Sequence, residues 1–489
     1  MLTKSKYTRG IQCPKMLWLY DHHPELAAPQ NNEVAAITGN LVGELARGYF
    51  GGYVEVPFDP DDFGTMTAQT KRLIDAATPV IAEASFAYLG SFCRVDILRV
   101  GDDGVHIVEV KSSAPSGAHL RDLAYQCWVV EHCGLKVISA SLMHLDKQYV
   151  RRGDLDLHRL FTVKDLSREV RALQEQVGLS ISMLKETAAQ ADEPQCKIGL
   201  RCFEPYECVY RAHCWALVPK PNVFDLDGIG AKKGCDLMGM GIITLEDALT
   251  SGKLNAKQER QALAELNDTA PHIDADAIRA FLDTLSYPLY FLDFETFNPA
   301  IPQFDGAKPY QQIPSQYSLH YIEREDAPLQ HMEFLAEAGS DPRRALAERI
   351  CADIPANACV MAYNMSFEKR VLKGLAESFP DLARHLLVIR ANVRDLMVPF
   401  KNGDYQTKEM HGSYSIKAVL PALFPGDPEL DYNALEGVRN GTEAMNAYAG
   451  LPNRTPDEIA AIRRQLLEYC KLDTLAMVKI WEKLCEVVS

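Results

Sequence analysis

Carboxylates interrupt two apolar, strand-like runs of this 489-residue chain, one at Asp96 and one at Asp293 and Glu295. A charge inside an apolar strand is costly unless something pairs it. Further acids follow each run: Glu109-Val110-Lys111 after the first, and Glu368, Tyr469 and Asp473 after the second. Both sets suit a catalytic magnesium or manganese ion, which takes oxygen ligands. The doubling predicts an α/β multidomain chain with two separate acidic sites, and 489 residues are too many for one ordinary core.

The first site reads as a hairpin. Ser91 to Val100 and Val105 to Lys111 flank the turn Gly101-Asp102-Asp103-Gly104. If Val100 pairs with Val105, Asp96 falls opposite Glu109, and cross-strand partners share a face. Lys111 joins them, because side chains alternate along a strand. Asp96 and Glu109 would hold the cation, while Lys111 orients water or steadies charge on phosphorus; the chemistry is metal-assisted phosphodiester hydrolysis.

In the second site Asp293 and Glu295 stand at i and i+2 and project together. Ala362 to Leu372 reads as a strand end, a turn and a helix start bearing Glu368. Tyr469 and Asp473 lie one turn apart on a helix face. Four carboxylates suit two cations, with the Tyr469 hydroxyl positioning the nucleophile. Asp395 and the segment Gly412 to Lys417 are further candidates beside this site.

Bulk properties narrow the partners. A net charge of −15 excludes blanket adhesion to a polyanion, so any nucleic-acid contact is local. Residues 361–420 are such a stretch, with nine Lys and Arg against six Asp and Glu. Thirteen cysteines, an odd number, behind a polar N-terminus point to reduced thiols in the cytoplasm. No apolar run reaches the roughly 18 residues that a membrane span needs. Cys202, Cys208 and Cys214 recur at six-residue intervals, unlike the two-residue gap usual for zinc. Cys93, Cys127, Cys133, Cys235, Cys351, Cys359, Cys470 and Cys485 read as lone buried thiols.

Three segments are expected: 1–218, a helical connector over 219–285 beginning at Val218-Pro219-Lys220-Pro221, and 286–489. The turn Leu226 to Lys233 in the connector resembles a helix-hairpin-helix element. The Asp96, Glu109, Lys111 hairpin, with Gly39 to Glu44 and Asp122 to Trp128 on helices, resembles the RecB-like PD-(D/E)XK nucleases that carry an iron-sulfur cluster. That resemblance implies a restriction-endonuclease-like domain and makes Gln126 the post-catalytic glutamine. It puts Glu44 near the family's metal-binding histidine, and adds Cys13 to Cys202, Cys208 and Cys214 as ligands of a 4Fe-4S cluster. Cys196 is a rival ligand, and zinc or no metal are the alternatives. The order Asp293, Glu295, Glu368, Tyr469, Asp473 resembles the DnaQ-like DEDD 3′–5′ exonucleases in their tyrosine variant, which implies a ribonuclease-H-like domain; Glu368 stands where that family ordinarily has Asp. As a whole the chain resembles a bacterial family of unknown function that joins these two domains. The expectation is a nuclease acting on DNA ends, with a nucleic-acid-binding scaffold, or an RNA exonuclease active only in its C-terminal half, as the alternatives.

Overall fold

The computed structural model describes residues 1–29, 33–267 and 269–489. It is an α/β protein of two compact units: residues 1–218 with 300–310, and residues 219–299 with 311–489. The segment 219–285, expected as a connector, falls within the second unit.

The first unit is built on a mixed sheet of seven strands: β1 (Leu2–Thr3), β2 (Val54–Glu55), β3 (Val80–Tyr88), β4 (Ser91–Gly101), β5 (Gly104–Lys111), β6 (Val137–Leu145) and β7 (Phe161–Asp165). Strands β2 to β7 lie in sequence order, and β1 pairs with β4 off this path. Helices Gly117–His132 and Ser167–Ala188 cover one face, packing Leu123, Val130, Val177 and Ile181 on Ile81, Val95, Leu98 and Ile107. The other face buries Ile97, Val108 and Met143 with Val42 and Ala46 of helix Glu33–Arg47 and with Ala300 and Ile301. A sheet covered on both faces explains the nearly continuous apolar runs.

The hairpin has the register read from the sequence, with Val100 opposite Val105 and Ile97 opposite Val108. The ladder stops there, one pair short of the expected Asp96–Glu109 pair. Cys93, Val95 and Leu98 all enter the same core, so the strict alternation of faces breaks at Asp96. Its Oδ2 instead accepts from the Val110 N–H at 2.7 Å. Beyond this break β1 runs alongside β4, with Leu2 opposite Ser91.

The second unit has a five-stranded sheet, ordered Gln330–Leu335, Ile313–Ile322, Leu289–Phe297, Cys359–Ala362, Val393–Asp395. With β8 (His272–Ile273), its strands are β9 (Leu289–Phe297), β10 (Ile313–Ile322), β11 (Gln330–Leu335), β12 (Cys359–Ala362), β13 (Val393–Asp395) and β14 (Tyr405–Gln406), the short β8 and β14 pairing separately. The pairings β11/β10 and β10/β9 are antiparallel; β9/β12 and β12/β13 are parallel. Leu292 and Phe294 of β9 point into a core with Leu346, Ile350, Leu372 and Leu386. The alternate residues face the 33-residue helix Pro456–Val488, where Phe291 meets Trp481 at 5.8 Å between ring centroids. That helix starts at a Thr455–Glu458 capping box with Pro456 in its first turn, which satisfies otherwise orphaned N–H groups. The segment 219–285 packs Val223, Leu226, Leu237, Leu245 and Ala262 into a helical core of its own.

Candidate metal centres

In the second unit, alternation on β9 turns Asp293 and Glu295 toward helix Pro456–Val488, which brings Asp473 to them. One carboxylate oxygen from each of the three lies within 4.8 Å of the other two, the one such grouping of possible metal ligands among the described residues. Among the described residues none of the three forms an ion pair. Burial and mutual repulsion push Asp293 and Glu295 well above the carboxylate range, and burial brings Asp473 up to about 6. The partners present are neutral donors. Tyr432 Oη donates to Asp473 Oδ1 at 2.6 Å, Tyr469 lies within hydrogen-bonding reach of the same carboxylate, and the Cys470 thiol donates to Asp293 Oδ2 at 3.4 Å.

Glu368 sits on the first turn of helix Ser366–Ser378 and adds to the negative field at Asp293 and Glu295. It is 2% exposed, its Oε2 has no hydrogen-bond partner, and burial raises it to about 8. It stands outside the close trio. Lys417 faces the rings of Tyr432 and Tyr469 at 5.0 and 5.5 Å, and its field lowers Glu295 and Asp473. Asp395 takes another role: its carboxylate accepts from the N–H groups of Asn364, Met365 and Met397, holding the turn in which Asn364 has φ of 69°.

In the first unit, Glu109 is fully buried and both its oxygens accept from protein donors. Lys4 Nζ and Lys111 Nζ both lie 2.7 Å from Oε1, and Gln126 Nε2 donates to Oε2 at 2.5 Å. Lys111 also reaches Asp122 at 3.5 Å, to which Thr8 donates at 2.8 Å. Burial opposes the charge of Glu109, but the two ammonium groups hold it far below the usual range. Burial and the Glu109 charge raise Asp96 to about 7. The sequence reading thus brings Asp96, Glu109, Lys111 and Gln126 together and misses Lys4 and Asp122. Glu44 is exposed on helix Glu33–Arg47, whose Val42 and Ala46 point into the core.

Cys13, Cys196, Cys202, Cys208 and Cys214 line one small pocket, none of them in a disulfide. Burial and neighbouring thiols raise Cys13, Cys208 and Cys214. Of the cysteines expected to be lone and buried, Cys133 is exposed, Cys235, Cys351 and Cys485 are half-buried, and Cys470 contacts Asp293.

A family model described as a domain of unknown function, DUF2779, matches residues 290–415. The match takes in Asp293, Glu295 and Glu368 and ends before Tyr469 and Asp473. No significant match is found among curated proteins or solved structures.

Tyr432, Lys417 and Cys470 are the second-site residues that sequence reasoning did not assign. Lys417 lies in the Gly412 to Lys417 segment already singled out, and Cys470 is adjacent to Tyr469. Nothing local distinguishes Tyr432.

Proposed function

We propose that this protein is a metal-dependent nuclease with two phosphodiesterase sites, acting on DNA in preference to RNA. In this reading the second unit is a ribonuclease-H-like DEDD exonuclease and the first a RecB-like nuclease with an iron-sulfur cluster. The observation that carries it is the convergence of Asp293, Glu295 and Asp473, three carboxylates with one oxygen each within 4.8 Å of the others. Support comes from the sheet, in which three antiparallel strands are followed by two parallel ones and the central strand carries the first acids. The bond from Gln126 to Glu109 supports the reading of the first site.

A divalent ion at the second site supplies Lewis-acid activation of water and neutralises charge on the phosphate. Asp293, Glu295 and Asp473 would hold it, and Glu368, with its unpartnered oxygen, would serve a second. Tyr469 directs its hydroxyl to the same site, and Tyr432 fixes the orientation of Asp473 through the 2.6 Å bond. The test is hydrolysis of 5′-labelled and 3′-labelled single-stranded DNA with magnesium or manganese, comparing wild type with Lys111→Ala and Asp473→Ala. Two cleavage patterns, each lost in one variant, are expected; no chelator-sensitive cleavage of DNA or RNA overturns the proposal. Cleavage that survives Lys111→Ala unchanged favours the narrower reading with activity only in the second unit, which the ammonium-filled first site supports.

A local cationic surface fits a nucleic-acid backbone. Lys369, next to Glu368, lies against Arg390, whose Nε donates to the Lys369 carbonyl at 3.1 Å. Burial, Arg390 and Arg394 all lower the Lys369 ammonium, and none of the three cations forms an ion pair among the described residues. Replacing all three by Gln is expected to reduce the slope of log K against log salt for single-strand binding, measured in chelator, by about 2. An unchanged slope removes this surface from the binding path.

The thiols around the pocket fit an iron-sulfur cluster, since cysteine thiolates are its protein ligands. Cys13, Cys202, Cys208 and Cys214 would hold it and tie the start of the first unit to its end. Protein purified without oxygen is expected to contain iron and acid-labile sulfide, both lost in Cys202→Ala. Stoichiometric zinc without sulfide rules the cluster out.

A further inference from the structure

We propose that Lys4 is a tethered counter-ion of the first carboxylate site, its ammonium occupying the cation position beside Glu109 and Asp96 so that a divalent ion must displace it to enter. This rests on the reading of Asp96 and Glu109 as metal ligands.

The geometry argues for a built feature. Lys4 Nζ lies 2.7 Å from an oxygen of a glutamate that is 0% exposed, and Lys111 shares that oxygen at the same distance. Gln126 takes the other oxygen. Glu109 therefore presents no oxygen free of a protein donor. The second site differs: Asp293, Glu295, Glu368 and Asp473 form no ion pair among the described residues, and only neutral donors reach Asp293 and Asp473.

Lys4 is also held in place. β1 pairs with β4 where the latter has parted from β5, and the Leu2 N–H donates to Gly90 at 2.8 Å. Tyr125 Oη, fully buried, donates to the Leu2 carbonyl at 2.5 Å. Thr3 then caps helix Lys4–Gln12, so the ammonium leaves the first residue of a fixed helix and points at Glu109. The Lys4 side chain is 26% exposed and borders a groove of about 860 Å3 that Thr8, Arg9, Lys111 and Asp122 also line. That groove gives the ammonium somewhere to go.

A divalent ion entering while both ammonium groups remain meets like charge at close range in a desolvated site, where repulsion is strong. Lys111 is placed to act on the phosphate, whereas Lys4 answers the charge of Glu109. Its removal leaves the carboxylates with one cation fewer and Glu109 Oε1 with one ammonium, Lys111, in place of two. The first site should then load at higher metal concentration than the second in the wild-type chain, and that order should reverse or narrow without Lys4.

The experiment uses the full chain with the second site silenced by Asp293→Asn and Asp473→Asn, titrated with Mn2+ and followed by electron paramagnetic resonance of the free ion. Asp96→Asn on this background identifies binding at the first site. Lys4→Met is expected to tighten the Asp96-dependent binding by about tenfold, and Lys4→Arg to leave it weak; Lys4→Gln replaces Lys4→Met if that variant does not fold. Equal or weaker binding in the uncharged variant, with Asp96-dependent binding present in its parent, overturns the inference and leaves the metal site standing. No Asp96-dependent binding in any variant overturns the metal-site reading of the first unit and the inference with it.

Discussion

Asp293→Asn lowers release of nucleotides from the 3′ end of single-stranded DNA by about a thousandfold or more, with the fold retained. Lewis-acid stabilisation of the developing charge is worth several kilocalories, and each ~1.4 kcal/mol of barrier is a factor of ten in rate. Asn keeps the volume of Asp and an oxygen to accept the Cys470 thiol, but loses the charge that three converging carboxylates direct at one point. Leu292 and Phe294, on the opposite face of β9, keep their core contacts, so thermal unfolding should move little. Tyr469→Phe should cost less, because it removes a positioning hydroxyl and leaves the carboxylates in place. The measurement is single-turnover hydrolysis with saturating Mg2+, together with the unfolding midpoint. A loss smaller than about tenfold in Asp293→Asn shows that the carboxylate trio does not carry the chemistry.

In chelator, the second unit loses stability as pH rises from about 6.5 to 8.5, and a divalent ion restores it most at the upper end. The sign follows from the direction of the shifts. Burial raises Glu368 to about 8 and Asp473 to about 6, and Asp293 and Glu295 lie well above their ordinary value. A carboxylate whose folded value exceeds its unfolded one contributes stability at low pH that disappears as pH climbs through the folded value. His320 and His331 act in the opposite sense, because burial lowers them to about 3 and about 4. Their unfolded-state imidazoles are half protonated at about pH 6.5, so they add a small gain in stability at the lower end of the window, opposite in sign to the carboxylates, and nothing more toward pH 8.5. A cation binding only the folded, ionised site stabilises by about 2.7 kcal/mol at a hundred times its dissociation constant. Denaturant unfolding of wild type and Asp473→Asn at pH 6.5 and 8.5, with Mg2+ or chelator, checks this. Equal stabilisation by Mg2+ at both pH values, or in both proteins, contradicts the linkage.

What could be read without a structure was local. The hairpin register followed from the turn between Gly101 and Gly104, since a short loop leaves the flanking strands one way to pair. Asp293 with Glu295, and Tyr469 with Asp473, fall together because strand and helix periods place them so. Even there the reading stopped one step early: the break at Asp96 is set by the packing of β4 on two cores and by the demand of the Val110 N–H, neither of which an alternating pattern reveals.

The sequence by itself determined that buried carboxylates interrupt two strands and that the chain carries two sites for them, because alternation and the cost of unpaired charge act over a few residues. Only the tertiary structure decided which groups answer those charges. Lys4 reaches Glu109 across 105 positions, and Tyr432 reaches Asp473 across 41. Contacts of that span depend on how strands and helices are stacked, and a lysine near the N-terminus or a tyrosine in a short helical turn looks the same in sequence whether it meets a carboxylate or water. The contrast between a first site filled by two ammonium groups and a second one bounded by neutral donors is therefore a property of the packing.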